Sequence, residues 1–135
     1  MALQYSTTVN NARLDAIETA VGVLAVLKIR TGSMPANCGT ADSGTVLATL
    51  SLPSDWMANA SANSKAKSGT WQDSSADASG TAGYFRIYAS DGTTVHIQGT
   101  VTATGGGGDM TVDNAVFATG QSFTVNTFTI TAGNQ

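Results

Sequence analysis

Four aspartates (Asp73, Asp77, Asp109 and Asp113), one cysteine (Cys38) and one histidine (His96) are the side chains here whose types invite a chemical reading. Paired carboxylates serve glycoside hydrolysis, but that reaction also needs a cleft lined by aromatics and one carboxyl with a raised pKa. These acids stand among Gly, Ser and Asn, where Asp makes turns and Asx hydrogen bonds. The run Gly105 to Asp109 imitates a phosphate cradle, yet no P-loop Lys and Ser or Thr follow it, and a strand comes next. Asp109 and Asp113 with Asn114 offer oxygens to a calcium ion without EF-hand spacing, and a plain hairpin turn accounts for the same residues. Cys38 as a nucleophile would need His96 as its base; a small apolar filler in a loop is the simpler reading. His96 has no companion ligands and reads as a hydrogen-bonding surface or interface residue. The expectation is a chain that is not an enzyme, with no cofactor, no catalytic residues and no metal ligands assigned.

These residues are carried by strands and turns. From Gly83 to Gly133 the chain reads as a run of antiparallel strands. Phe85, Ile87 and Ala89 alternate with Tyr84, Arg86 and Tyr88, and Val95, Ile97, Val101 and Ala103 alternate with His96, Gln98, Thr100 and Thr102. Between them Asp91-Gly92 suits a type I′ hairpin turn. In the last strand Phe123 and Val125 share one parity while Phe128 and Ile130 take the other. That requires a bulge near Asn126-Thr127, or a strand covered on both sides as at a subunit interface. All four are expected to be buried, some of them against a partner.

Upstream, Leu24 to Thr31 and Thr45 to Leu52 read as strands, the second with Val46, Ala48, Leu50 and Leu52 on one face and a loop between them. Pro53 to Trp56 reads as a turn or one-turn helix capped by Ser54 or Asp55, with Trp56 and Met57 as apolar anchors. Asn59 to Lys67 reads as an exposed loop or arm, a short strand near Gly69 to Asp73 carries Trp71, and Met110 to Phe117 gives one more strand. Gly105 to Gly108 is a turn with no fixed shape of its own. A single helix is predicted over Asn10 to Val21, with caps from Ser6 to Asn11 and Gly22 as its stop. Leu14, Ile17 and Val21 form its packed stripe with Ala16 and Ala20, and Arg13, Asp15 and Glu18 lie mostly off it. A helix this short is marginal alone, so it must dock on the β body or on a neighbour.

The predicted fold is one domain over 1–135: an N-terminal arm and helix over 1–22 and, over 23–135, a mainly β, antiparallel β-sandwich, jelly-roll-like, of about seven or eight strands. Charged residues are only 11% of the chain, while Ser and Thr make up about a quarter. A hydroxyl-rich, charge-poor surface suits packed assemblies, where unpaired charges would have to be desolvated. The six basic residues (Arg13, Lys28, Arg30, Lys65, Lys67 and Arg86) are scattered in a net charge of -3, so no basic stripe exists for nucleic acid. One cysteine cannot form an internal disulfide. The start lacks the basic and apolar regions of a signal peptide, and no apolar run approaches the roughly 18 residues that cross a bilayer. The expectation is synthesis in the cytoplasm and export only as part of something larger. Candidate interface residues are Leu14, Ile17, Trp56, Trp71, Phe128 and Ile130.

The opening MALQYSTTVNNARLDAIETAVG, the central LPSDWMANAS and GTWQDSSADASGTAGYFRIYASDGTTVHIQGTV, and the ending FTVNTFTITAGNQ together resemble a family of small structural proteins of tailed bacteriophages. The likeness covers nearly the whole chain and includes no functional motif. It implies a virion component, in first place a head decoration or cement protein on the capsid exterior that ties neighbouring copies of the major capsid protein together. It also implies a homo-oligomer, dimer or trimer, with no nucleic acid or membrane partner. A tail, neck or head-fibre component that recognises host-surface glycans is the alternative, and a cell-wall hydrolase stands third.

Overall fold

The computed structural model describes residues 3–132. Helix α1 (Thr7–Val21) starts where the Ser6 side chain accepts a hydrogen bond from the Val9 N–H at 3.3 Å. It ends at Gly22, whose φ of 90° turns the chain away while its N–H closes on the Glu18 carbonyl. The helix begins at Thr7 rather than Asn10 because the first of the candidate caps is the one used. Leu14 and Val21 are buried and Ile17 half-buried, as the stripe requires, but Ala16 and Ala20 are exposed and the stripe is continued by Asn10 instead.

Nine strands follow: β1 (Val26–Thr31), β2 (Val46–Ser51), β3 (Ser64–Ala66), β4 (Gln72–Asp73), β5 (Gly80–Tyr88), β6 (Val95–Ala103), β7 (Met110–Val112), β8 (Val116–Phe117) and β9 (Phe123–Thr131). They form one sheet in the order β2-β1-β5-β6-β7-β9-β3, with β4 also on β9 and β8 on β5. The sheet curls until its ends meet: the Asp77 N–H donates to the Leu47 carbonyl at 2.7 Å, and the Thr49 N–H to the Asp73 carboxylate at 3.3 Å. The fold is therefore mainly β with one N-terminal helix. The sheet is mixed rather than antiparallel, because β6 and β7 run parallel, with Val101 opposite Met110 and Ala103 opposite Val112.

Parallel neighbours ordinarily need a long crossover. Here the six residues between Ala103 and Met110 suffice, because the glycine run folds flat against the strand it has just left. Gly108 N–H donates to Thr102 Oγ1 at 3.0 Å, and a Cβ on Gly106 or Gly108 would stand 2.7 or 2.9 Å from Thr102 atoms. The run expected to lack a fixed shape is thus held by Thr102. Gly108→Ala is expected to cost about 1–3 kcal/mol by pushing β7 off β6. Urea unfolding would show the loss, and faster amide exchange over Met110–Val112 would localise it.

The phase change in the last strand is a bulge: Thr111 faces Thr127 and Val112 faces Val125, leaving Asn126 as the extra residue. Phe123, Val125 and Phe128 are all buried on one side, and Ile130 is half-buried beside them. The core runs through an aromatic line, with ring centroids 6.1 Å apart for Trp56–Trp71, 5.7 Å for Trp71–Phe128 and 5.4 Å for Phe128–Phe85.

Four other expectations are corrected. Leu47 is buried on β2 while Val46 is only half-buried, since the β1–β2 register shifts at Arg30. Pro53 to Trp56 forms a bend without a helical turn, Trp56 being held by its Nε1–H bond to the Gly22 carbonyl at 3.0 Å. Met110 to Phe117 is split into β7 and β8, because Asp113 and Asn114 form a turn in which Asn114 Oδ1 accepts the Val116 N–H. The hairpin after β5 is present, but only Gly92 has positive φ, at 70°, and the Ala89 carbonyl accepts the Gly92 N–H. That is the longer loop built on a type I turn, not type I′, and the Asp91 carboxylate fills it by accepting the Thr93 and Thr94 N–H groups.

Candidate interaction surfaces

The four aspartates are all hydrogen-bonded, some within turns and Asp73 and Asp77 also across to β2. Asp73 accepts from the Ser75 and Thr49 N–H groups, Asp77 from the Thr49 hydroxyl, Asp109 from the Thr100 N–H and hydroxyl, and Asp113 from the Asn114 and Thr124 N–H groups. Asp109 and Asp113 therefore serve different turns, and among the described residues no three His, Cys, Asp or Glu side chains gather as a metal site. Cys38 is half-buried in the loop between β1 and β2, whereas His96 is exposed on β6.

Two internal charge clusters do what the sequence did not announce. The segment read as an exposed arm contains β3, and its Lys65 side chain is 1% exposed. The ammonium donates to Asp15 Oδ1 at 2.8 Å and the Ala58 carbonyl at 2.8 Å, and lies 2.9 Å from Glu18 Oε2, so its three protons meet three acceptors. Asn11, Asp15 and Glu18 recur at i, i+4 and i+7, a polar stripe that docks the helix. Asn11 accepts the Asn63 N–H, Asp15 the Ala60 N–H and Glu18 the Met57 N–H. That spacing was the available signal, and it reads equally well as a solvated face.

Burial pushes the Lys65 ammonium toward release of its proton, but hydrogen bonds to Asp15 and Glu18 outweigh it and hold the pKa above the ordinary lysine value. The bond from Lys65, with that from the Ala60 N–H, holds Asp15 below the usual carboxylate range. A raised lysine pKa adds stability that is complete below the unfolded value of about 10.4 and lost as pH climbs through the folded one. A lowered carboxyl adds stability that is present above about 3.9 and lost in acid. Lys65→Met is expected to cost about 2 kcal/mol and to remove the alkaline limb of a stability–pH curve, checked by urea titrations from neutral to alkaline pH.

The second cluster buries the face of β5 that alternation makes polar. Residues 33–45 fold over Tyr84, Arg86 and Tyr88. Asp42 lies 2.7 Å from Arg86 Nη1 and 2.9 Å from Arg30 Nη2, and accepts the Tyr88 hydroxyl at 3.0 Å. Arg86 also donates to Gln98 Oε1 and to the Asn37 carbonyl, and Gln98 donates to the Pro35 carbonyl. Burial raises the Asp42 carboxyl, but bonds from Tyr88 and Arg86 and the charges of Arg30 and Arg86 bring it below the ordinary value. Both faces of β5 are therefore interior.

Of the candidate interface residues, Trp56, Trp71, Phe128 and Leu14 lie in the chain's own interior, at 0, 1, 4 and 3% exposure. Only Ile17 and Ile130 keep part of their surface, side by side in an open groove with Arg13, Leu14, Thr131 and Ala132. The exposed large apolar residues are others: Leu3, Val9, Val23, Leu24, Met34 and Val116. Four of these six belong to residues 3–24. Leu24 has φ 56°, a strained conformation for a branched side chain, and with Val23 it stands at the exit of the helix. Beside them lies an open cavity of about 460 Å³ whose lining includes Asp15, Glu18, Val23, Ser54, Asn59 and Lys65. No helix among the described residues is long and apolar enough to cross a membrane. Compared with family models, curated proteins and solved structures, the chain gives no match.

Proposed function

We propose that this chain is a head decoration (cement) protein of a tailed bacteriophage, made in the host cytoplasm and bound to the outside of the capsid lattice. Its partners in this reading are the major capsid protein and further copies of itself. The observation that supports it is the placement of exposed apolar surface: Leu3, Val9, Val23 and Leu24 all lie on the N-terminal arm, the helix and its exit. The charges beneath that segment are neutralised inside the chain by the Lys65 cluster. A contact made by such a segment desolvates few unpaired charges, which favours static packing over recognition of an ionic ligand. Repeated over a lattice, weak contacts of this kind reach high avidity, and binding to the assembled shell alone stabilises it by mass action. The jelly-roll-like sandwich belongs to the same proposal, supported by the two halves of the curled sheet that face each other across one core.

The test is to add the purified protein to expanded phage shells that lack it. Saturable binding at a fixed ratio per capsid subunit, with a raised temperature of genome release, is the expected result. Absence of binding would overturn the head assignment and direct attention to the tail, neck or head fibre.

A further inference from the structure

The sheet is missing a piece of strand, and its gap has the dimensions and chemistry of an extended peptide. β7 lies between β6 and β9 but is only three residues long, and at Asp109 the chain leaves the sheet for the glycine turn. Beyond that point β6 and β9 continue with nothing between them. Strands adjacent to a common neighbour stand about 9–10 Å apart, the width of one strand. The space is an open cavity of about 310 Å³ whose lining includes Phe85, Ile97, Gln98, Phe128, Ile130 and Thr131.

The backbone of its walls points inward. On β9 the Phe128 carbonyl accepts the Lys67 N–H, and the Ala132 N–H donates to the Asn63 carbonyl, so even-numbered residues face β3. By alternation Thr129 and Thr131 turn their N–H and C=O groups to the gap. On β6 the Thr100 N–H is taken by the Asp109 carboxylate on the side away from β5, so Gln98, two residues back, presents its backbone to the gap as well. Two facing edges over an apolar floor are the recognition surface of strand addition.

The same chain carries a segment of matching chemistry. Residues 3–6 precede the helix without regular structure, contain no charge, and place Leu3 and Tyr5 two apart, on one side of an extended strand. Leu3 is 68% exposed, the largest exposure among the described large apolar residues, so its side chain is not seated in its own chain's gap, while Tyr5 lies under the Arg13 guanidinium at 4.8 Å. We propose that the gap between β6 and β9 receives the N-terminal arm of a second copy of this chain, with Leu3 directed to the floor beside Gly99 and Ile130. Gly99 has no side chain to obstruct it, and a Cβ there would already stand 2.7 Å from the Phe85 ring. This inference goes beyond the capsid reading and does not depend on it.

The test uses the full-length protein with Cys38→Ser. Light scattering is expected to give a mass of two or more chains, and Leu3→Asp to weaken self-association about ten- to hundredfold while leaving the melting temperature of the dissociated chain, read at high dilution, unchanged. Paired Leu3→Cys and Ile130→Cys, which share the floor face, are expected to form a disulfide between chains under mild oxidation, at a yield well above either single cysteine variant. A single-chain mass at every concentration, a disulfide closed within one chain, or self-association insensitive to Leu3→Asp would each overturn the proposal. Shell binding by a single-chain protein that Ile130→Asp abolishes and Leu3→Asp does not would overturn it too, by assigning the gap to a strand of the shell.

Discussion

Asp42→Asn is expected to lower stability by about 3 kcal/mol, because one carboxylate balances two guanidinium groups that have little access to water. The Arg86 side chain is 1% exposed and that of Arg30 10%. Removing one partner of a buried pair costs about 3–5 kcal/mol, mostly as the penalty of the charge left behind. The lower end applies here because 34% of the Asp42 side chain reaches solvent and water can partly replace it. The expected fall in melting temperature is about 10 °C, with earlier proteolytic cutting within residues 33–45 as the loop lifts from Tyr84 and Tyr88. The pH dependence supplies an independent check. The native Asp42 carboxyl titrates below its unfolded value, so the native state binds fewer protons and stability falls as pH drops through and below about 4. With Asp42→Asn that acid limb should be shallower. A variant as stable as the parent at neutral pH would show that the loop is held by Tyr84, Gln98 and packing alone.

The other large effect is expected in the aromatic line. Trp71 is 1% exposed, touches Trp56 and Phe128, and donates its Nε1–H to the Ser68 carbonyl at 3.1 Å. Its own carbonyl accepts the Val125 N–H, so the residue joins the segment before β4 to the middle of β9. Trp71→Ala should cost about 3–5 kcal/mol through lost burial and the cavity left between the two halves of the sheet. Trp71→Phe should recover most of that while leaving the Ser68 carbonyl unpaired. Guanidinium unfolding followed by the remaining Trp56 fluorescence measures both. Equal losses for the two variants would mean that the hydrogen bond, not the ring volume, carries the contribution.

How much of this was legible in the chain depended on whether a single element or a pair of distant ones held the signal. The break in phase of the last strand was legible, since Phe123 and Val125 cannot share a face with Phe128 and Ile130 unless one residue is extra, but the alternative of a strand covered on both sides was excluded only by the register of β7 on β9. The helix was legible from Ser6, Gly22 and the stripe Leu14, Ile17, Val21. The burial of Lys65 was not, because a lysine among Asn, Ser and Ala has the composition of a solvated loop, and its two carboxylate partners, Asp15 and Glu18, lie far off in sequence on the helix. Arg86 was hidden for the same reason: alternation placed it on a polar face, and only residues 33–45 folding back make that face interior. The tryptophans suited a core or an interface equally well until the curl of the sheet enclosed them. The parallel pairing of β6 and β7 was obscured by its own connection, since four glycines advertise freedom and nothing in their order says that Thr102 takes it away.

The manner in which the curled sheet ends at β2 bears on how the protein behaves when crowded. A terminal strand offers a row of free donors and acceptors that any passing chain can extend, which is how ordered aggregates start. On β2 the Leu47 carbonyl and the Thr49 N–H are already occupied by the Asp77 backbone and the Asp73 carboxylate. Accretion of another chain at this margin must first displace both contacts, which hinders growth there.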